Sequence, residues 1–208
     1  TATRTDENVT GNITVTAEFA INEYTLTYTA GEHGSISGDA TQTVTYGSNG
    51  TEVTAVPDEG YHFVKWSDGL TTATRTDENV TGNITVTAEF AINTYAVIFK
   101  NWDGSELKTE AVEHGSGATA PPEPIREGYH FTGWDADFSN ITSDLTVTAT
   151  FAINTYTVIF KNWDGSELKT EVVEHGSAAT APSEPTRAGY HFTGWDVDFS
   201  HVASDLTV

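Results

Sequence analysis

Tyr95-Ala-Val-Ile-Phe-Lys-Asn-Trp-Asp-Gly-Ser-Glu-Leu-Lys-Thr-Glu110 returns from Tyr156 with a single change, Ala96 becoming Thr157. Its first half alternates Tyr95, Val97 and Phe99 with Ala96, Ile98 and Lys100, the period-two pattern of a strand buried on at least one face. Asp103-Gly104 then supplies a hairpin turn, because glycine tolerates the positive φ that a tight reversal requires. A returning strand is predicted over Leu107–Glu113. The stretch 114–128 carries Gly115, Gly117, Pro121, Pro122 and Pro124 and reads as a crossover loop, with one short helical turn expected at Ala118–Ala120. A third strand follows at Tyr129–Trp134, then an acidic loop over 135–144 and a fourth strand from Leu145 to Phe151. The expected fold class is mainly β, with a small α+β variant left open.

Repetition extends this reading along the chain. At an offset of 61, residues 95–147 match 156–208 at 43 of 53 positions. Thr1–Asn22 recurs letter for letter as Thr72–Asn93, and Gly-Tyr-His-Phe occurs at 60–63, 128–131 and 189–192, each time followed by Trp after two residues. The predicted organisation is therefore an excerpt of a tandem array. Residues 1–23 give the C-terminal strand of a preceding repeat, 24–93 a longer and divergent unit, 94–154 a second unit, and 155–208 a third without its final strand end. Units of about 60–70 residues lie near the lower limit for a self-sufficient core. The joins Phe90-Ala-Ile-Asn-Thr-Tyr95 and Phe151-Ala-Ile-Asn-Thr-Tyr156 contain no Gly, Pro or Ser spacer, so little hinge is expected and an elongated rod follows.

Charge and composition narrow the classes of function. Thirty acidic residues oppose nine basic ones, a net charge of −21. That balance argues against nucleic acid or an anionic membrane as partner. With no cysteine, disulfides, thiolate metal sites and cysteine nucleophiles are excluded. No stretch approaches the ~20 apolar residues of a membrane-spanning helix, so direct membrane insertion of this segment is not expected.

The strings Tyr156-Thr-Val-Ile-Phe-Lys-Asn-Trp-Asp-Gly, Val-Glu-His-Gly at 173–176 and Gly189-Tyr-His-Phe-Thr-Gly-Trp195, with the closing Leu-Thr-Val strand, resemble the Listeria–Bacteroides repeat, the internalin B-type B-repeat. The unit 24–93 is similar to the divergent B-repeat subtype; it departs from the pattern at Lys65, where Gly is usual. The resemblance implies small β-grasp-like domains in the stalk or adhesive region of a secreted or wall-attached bacterial protein, outside the cell, with no enzymatic activity. The expected partners are a host or neighbouring-cell surface protein or a glycan, with self-association as an alternative.

Candidate chemistry is sparse. There is no Gly-x-Ser-x-Gly, no Gly-rich phosphate loop and no His-Glu-x-x-His, so no catalytic residue is assigned. The histidines of Glu-His-Gly and Tyr-His-Phe lack the spacing of a metal site. Asp135, Asp137, Asp196 and Asp198 could collect oxygen ligands for Ca²⁺, the one ion weighed; no other cofactor is expected. Trp102 and Trp163 flank the hairpin turn and are the candidates for stacking on sugars or a protein partner, whereas Trp66, Trp134 and Trp195 read as core. Lys100 and Lys161, beside Asn101 and Asn162, raise a covalent Lys–Asn cross-link, which would need partners from another strand. Asn12, Ile13, Val15, Ala17 and Phe19 lie on the expected strand at 12–20, which could add to a neighbouring molecule head to tail.

Overall fold

The computed structural model describes residues 3–208. Among them the regular structure is all β, and the chain divides into two compact units, 1–92 and 93–208.

The first compact unit holds β1 (Glu23–Ala30), β2 (Gly34–Ser37), β3 (Thr41–Thr45), β4 (Val53–Pro57), β5 (Tyr61–Trp66), β6 (Thr74–Arg75) and β7 (Ile84–Ile92). Its main sheet has the order β3-β1-β7-β5, with β1 and β7 parallel and the outer pairs antiparallel. A second small sheet, β2-β4-β6, accounts for the extra length of this divergent repeat. The second compact unit contains two repeats. One is β8 (Thr94–Lys100), β9 (Glu106–Glu113), β10 (Tyr129–Trp134) and β11 (Leu145–Ile153), arranged β10-β11-β8-β9 with β8 and β11 parallel. The other is β12 (Thr155–Lys161), β13 (Glu167–Glu174) and β14 (Leu206–Thr207), arranged β13-β12-β14. Two hairpin-like pairs joined through a parallel central pair are the sheet order of a β-grasp, here without its helix.

Each core grows from the alternation on the first strand. Val97 and Phe99 of β8, and Val158 and Phe160 of β12, are fully buried, each side chain stabilising by about 1.5–3 kcal/mol. Phe99 meets Trp134 and Phe138 edge-on at 5.2 Å, and Phe160 meets Trp195 and Phe199 at the same separation. Ile141 and Val147 close the second repeat, and Val202 and Val208 the third. At the bulge in β10, Gly133 takes φ 137°, while Lys65 holds the same register slip in β5 and reaches Glu89 at 3.6 Å.

Three expectations are corrected. Ala118–Ala120 forms no helical turn: Ala118 N–H donates to Phe138 O at 2.9 Å and Thr119 N–H to the Glu110 carboxylate at 3.0 Å, so the donors a turn would use are taken by distant partners. Residues 12–20 form no strand, although the identical sequence at 83–91 lies almost wholly within β7; β7 has β1 and β5 beside it, whereas Asn12, Ile13, Val15, Ala17 and Phe19 have no strand partner and are exposed. The first two residues of the expected 1–23 segment lie outside the described ones. Tyr190–Trp195, the counterpart of β10, is likewise no strand: among the described residues no strand pairs with it, whereas β10 pairs with residues 149–153 of β11.

The divergent repeat has a feature that the sequence did not announce. Arg75, with only 4% of its side chain exposed, donates to both Asp77 carboxylate oxygens, at 2.7 and 3.2 Å, and pairs with Asp68 at 3.1 Å. Its guanidinium lies over the rings of Trp66 and Tyr28, whose hydroxyl donates to Asp77 at 2.7 Å. Burial and the bond to Asp77 push the Tyr28 hydroxyl well above the usual phenol range. For Asp68, burial works against the charged form, but the hydrogen bonds from Arg75 and Leu70 outweigh it and hold its carboxyl below the ordinary range. Removing one member of a buried pair strands the other charge. Arg75→Leu is therefore expected to destabilise the first unit by roughly 3–5 kcal/mol, read from the Trp66 indole resonance during urea unfolding.

Candidate functional site

Two constructions in the second compact unit bear on function: the joint between its repeats and the tip of each hairpin. At the joint, one residue, Asn154, separates β11 from β12. Its N–H donates to Gly128 O at 2.8 Å, its carbonyl accepts from His175 N–H at 2.8 Å, and its side-chain oxygen lies 2.8 Å from His130 Nδ1. One asparagine thus ties the β10 end of one repeat to the β13 end of the next. The His175 ring packs against Gly128 and stands 5.9 Å from Tyr156 and 6.3 Å from His201, with its Nδ1 buried and without a hydrogen-bond partner. The same backbone bond recurs between Asn93 O and His114 N–H at 2.8 Å, and His114 lies 6.0 Å from Tyr95.

The crossover loop is latched to the edge strand beside it. Lys108 Nζ donates to Glu110 at 2.7 Å and to Thr119 O at 2.6 Å, while Thr119 N–H donates to Glu110. Lys169, Glu171 and Thr180 repeat this arrangement. The hydrogen bond from Lys108, then that from Thr119, holds the Glu110 carboxyl below the ordinary glutamate range, and Lys169 does the same for Glu171.

At the hairpin tip, Asp103 Oδ1 accepts from Ser105 N–H at 3.0 Å and from its hydroxyl at 2.6 Å, and Asn101 Oδ1 accepts from Trp102 N–H at 3.0 Å. The turn so fixed sets Trp102 beside Arg126. Tyr129 N–H bonds back to Arg126 O at 3.1 Å around Gly128, whose φ is 77°. The Arg126 guanidinium consequently sits between two rings, 4.3 Å from Trp102 and 3.6 Å from Tyr129. Arg187 occupies the same place, 4.2 Å from Trp163 and 4.0 Å from Tyr190. Trp102 remains 49% exposed and Trp163 63%. The arginines were missed from the sequence; the signal was Arg three residues before Tyr in the second and third repeats, where the first has Asp58.

The remaining candidates do not converge. Asp135 accepts from Thr148 N–H of β11 at 2.6 Å, whereas Asp137, from Ser139 N–H at 2.9 Å, and Asp198, from Ser200 N–H at 2.9 Å, each organise their own loop. Asp196 is not joined to them, and among the described residues no group of three or more His, Asp or Glu side chains could hold a metal ion. Lys100 and Lys161 make no ion pair or side-chain hydrogen bond to an Asn, Asp or Glu among the described residues, so the partners of a covalent cross-link are not assembled. Trp66 is buried, and Trp134 and Trp195 pack in their cores. A groove beside Trp163 is lined by Lys161, Arg187, His191 and Trp195; in the second repeat the counterparts of its 190–195 wall pair with residues 149–153 of β11.

Comparison with known proteins defines the class. The profile of the Listeria-Bacteroides repeat domain matches residues 95–154 and 156–203, and that of the divergent InlB B-repeat domain matches 24–94. The chain belongs to this B-repeat family, whose repeat domains are typical of bacterial surface proteins. A protein of Evansella cellulosilytica labelled a membrane protein is 32% identical over 91% of the chain, which covers 30% of that relative. Internalin H of Listeria monocytogenes is 43% identical over 36% of the chain, which covers 15% of it. The chain thus spans less than a third of either relative. Among solved structures, domains 3-4 of a streptococcal cell surface protein with high-identity tandem repeats align over 64% of this chain and 98% of theirs, at 20% identity and a TM-score of 0.30. The Bacillus anthracis TIE protein aligns over 90% of this chain and 50% of its own, at 8% identity and a TM-score of 0.34. No helix among the described residues is long and apolar enough to cross a membrane.

The joint and the latch each generate an expected outcome. Gly128→Ala forces a left-handed alanine, costing about 1–2 kcal/mol, and also places its Cβ on the His175 ring. Gly115→Ala, at φ 78° with an added Cβ meeting only Asn140 Oδ1 at an ordinary 3.9 Å, carries the backbone penalty alone. Urea unfolding should therefore show the larger loss for Gly128→Ala. The depressed Glu110 and Glu171 carboxyls stabilise the latch at pH values above the ordinary 4.5, and this contribution disappears as pH falls through their lower folded values. The amide resonances of Thr119 and Thr180 should accordingly titrate with midpoints below 4.5.

Proposed function

We propose that this chain is a non-catalytic segment of a bacterial cell-surface or secreted protein that serves as a stalk or spacer and presents an adhesion-type interaction surface to a host or neighbouring-cell protein or glycan. The observation that carries the reading is the Asn154 joint. Three contacts from one residue link consecutive repeats, with no flexible spacer between β11 and β12. A segment meant only to tether would gain nothing from such a joint, whereas a spacer that must hold a distal part away from a surface needs it. The family places repeats of this kind in bacterial surface proteins, and the acidic surface supports the reading by keeping neighbouring copies apart.

The test measures how firmly the joint holds. Because the chain has no cysteine of its own, single cysteines at the exposed positions of Glu106 and Glu167 can carry spin labels without interference. Pulsed dipolar spectroscopy should give a narrow distance distribution between them. Inserting four Gly/Ser residues between Ile153 and Asn154 should broaden it severalfold. A native distribution as broad as that of the insertion variant would remove the basis for a stalk.

A further inference from the structure

The stacked arginines fit a role that closure of the hairpin does not require. In the divergent repeat the turn after β1 also meets the tyrosine after the glycine turn, and His33 stacks on Tyr61 at 4.1 Å and 11°. That contact closes the same corner with no arginine and no tryptophan. The second and third repeats close it instead with an inserted guanidinium and a large, half-exposed indole.

Of the nine basic side chains, Arg4, Lys65, Arg75, Lys108 and Lys169 each pair with a carboxylate. Among the described residues neither Arg126 nor Arg187 does, in a chain with thirty acidic residues. Two rings lie within 4.3 Å of each guanidinium carbon, and a guanidinium stacked on a ring keeps the N–H groups of its edge for a ligand. That edge is the part that receives a planar carboxylate through two parallel hydrogen bonds. Beside it, Trp102 and Trp163 keep 49% and 63% of their surface open although one face of each ring is already covered. An open aromatic face next to a fixed donor edge pairs an apolar platform with one orienting polar group. The local sequence varies around this device: Pro122, Ile125 and Glu127 become Ser183, Thr186 and Ala188, while the tryptophan, arginine and tyrosine stay.

We infer that each Trp–Arg–Tyr stack, Trp102–Arg126–Tyr129 and Trp163–Arg187–Tyr190, is a binding site for a saccharide that carries a carboxylate, with the sugar ring on the indole and the carboxylate on the guanidinium edge. This deepens the adhesion-type reading above and rests on it. The net charge of −21 favours a saccharide over an acidic peptide. A peptide with successive carboxylates would be repelled by the protein as a whole, whereas a sugar with isolated carboxylates matches one guanidinium per site. Two such sites in residues 93–208 allow a long glycan to engage both, and avidity then raises the strength of individually weak contacts.

The test titrates the indole resonances of the full chain with a tetrasaccharide of alternating glucuronic acid and N-acetylglucosamine, and with the same tetrasaccharide after its carboxyl groups are reduced to alcohols. The Trp102 and Trp163 signals should move and that of Trp66 should not, with at least tenfold weaker binding of the reduced sugar. The double variant Arg126→Lys/Arg187→Lys keeps the positive charge beside the rings but not the planar two-pronged edge, and should bring the acidic sugar down to the level of the reduced one. The inference is overturned by silent indoles, by equal binding of both sugars, by an unaffected lysine variant, or by a stronger response to a glutamate-rich peptide. Beads coated with the native chain and with Trp102→Ala/Trp163→Ala separate the two readings. If the titration fails but both kinds of bead adhere to a mucin layer, the adhesion-type reading stands without these sites; if native beads adhere neither to mucin nor to host or neighbouring-cell surfaces, that reading falls as well.

Discussion

The parallel pairing of the first strand of a repeat with its last is the constraint on which the rest depends. β8 and β11 align Val97 with Leu145 and Phe99 with Val147, so the buried faces of the two strands form one apolar surface. Parallel neighbours cannot be joined by a tight turn. The chain must leave β9, cross over and return through β10, and the long crossover supplies the loop that Lys108 and Glu110 latch and the turn at Gly128 that sets Arg126. The same parallel arrangement means that a repeat releases the chain in the direction in which it received it. One asparagine is then enough to begin the next repeat.

The divergent repeat keeps this frame and changes what fills it. β1 and β7 are its parallel pair, and β3 and β5 flank them. The added β2-β4-β6 sheet gives it a broader core with Leu26, Tyr28, Val53 and Trp66. Into that core it admits the Arg75–Asp77–Asp68 cluster, whereas the other two repeats use the Phe99 and Phe160 aromatic clusters alone. The turn after its β1 carries His33, where the turn after β8 carries Trp102. Core and tip differ, yet the strand order is the same.

Much of the fold was legible because alternation reports directly which side of a strand is buried. The hairpin at Asp103-Gly104, the strand Tyr129–Trp134 and the core roles of Trp66, Trp134 and Trp195 all follow from local pattern. Partners were not legible. Nothing in Tyr95–Lys100 says that its neighbour is parallel, and nothing in Arg126 says that it will lie between rings from two different segments. The plainest case is the repeated 22-residue string: identical residues build β7 at one place and no strand at the other, because a strand is a property of its neighbours more than of its own sequence. The aspartates near 135 and 196 show a related limit. Spacing shows that carboxylates are close along the chain, but Asp135 accepts from Thr148 N–H of β11, and Asp137 and Asp198 from N–H groups of their own loops.

The parallel central pair also decides how a repeat meets tension. A pull along the chain draws the start of β8 one way and the end of β11 the other, so the two strands are drawn past each other lengthwise. The hydrogen bonds between them then bear the load together and cannot open one at a time from an end, as they would in a hairpin pulled apart at its open side. A repeat of this design gives way only when the whole ladder between Val97 and Lys100 slips at once, which is the behaviour of a link made to stay closed under drag.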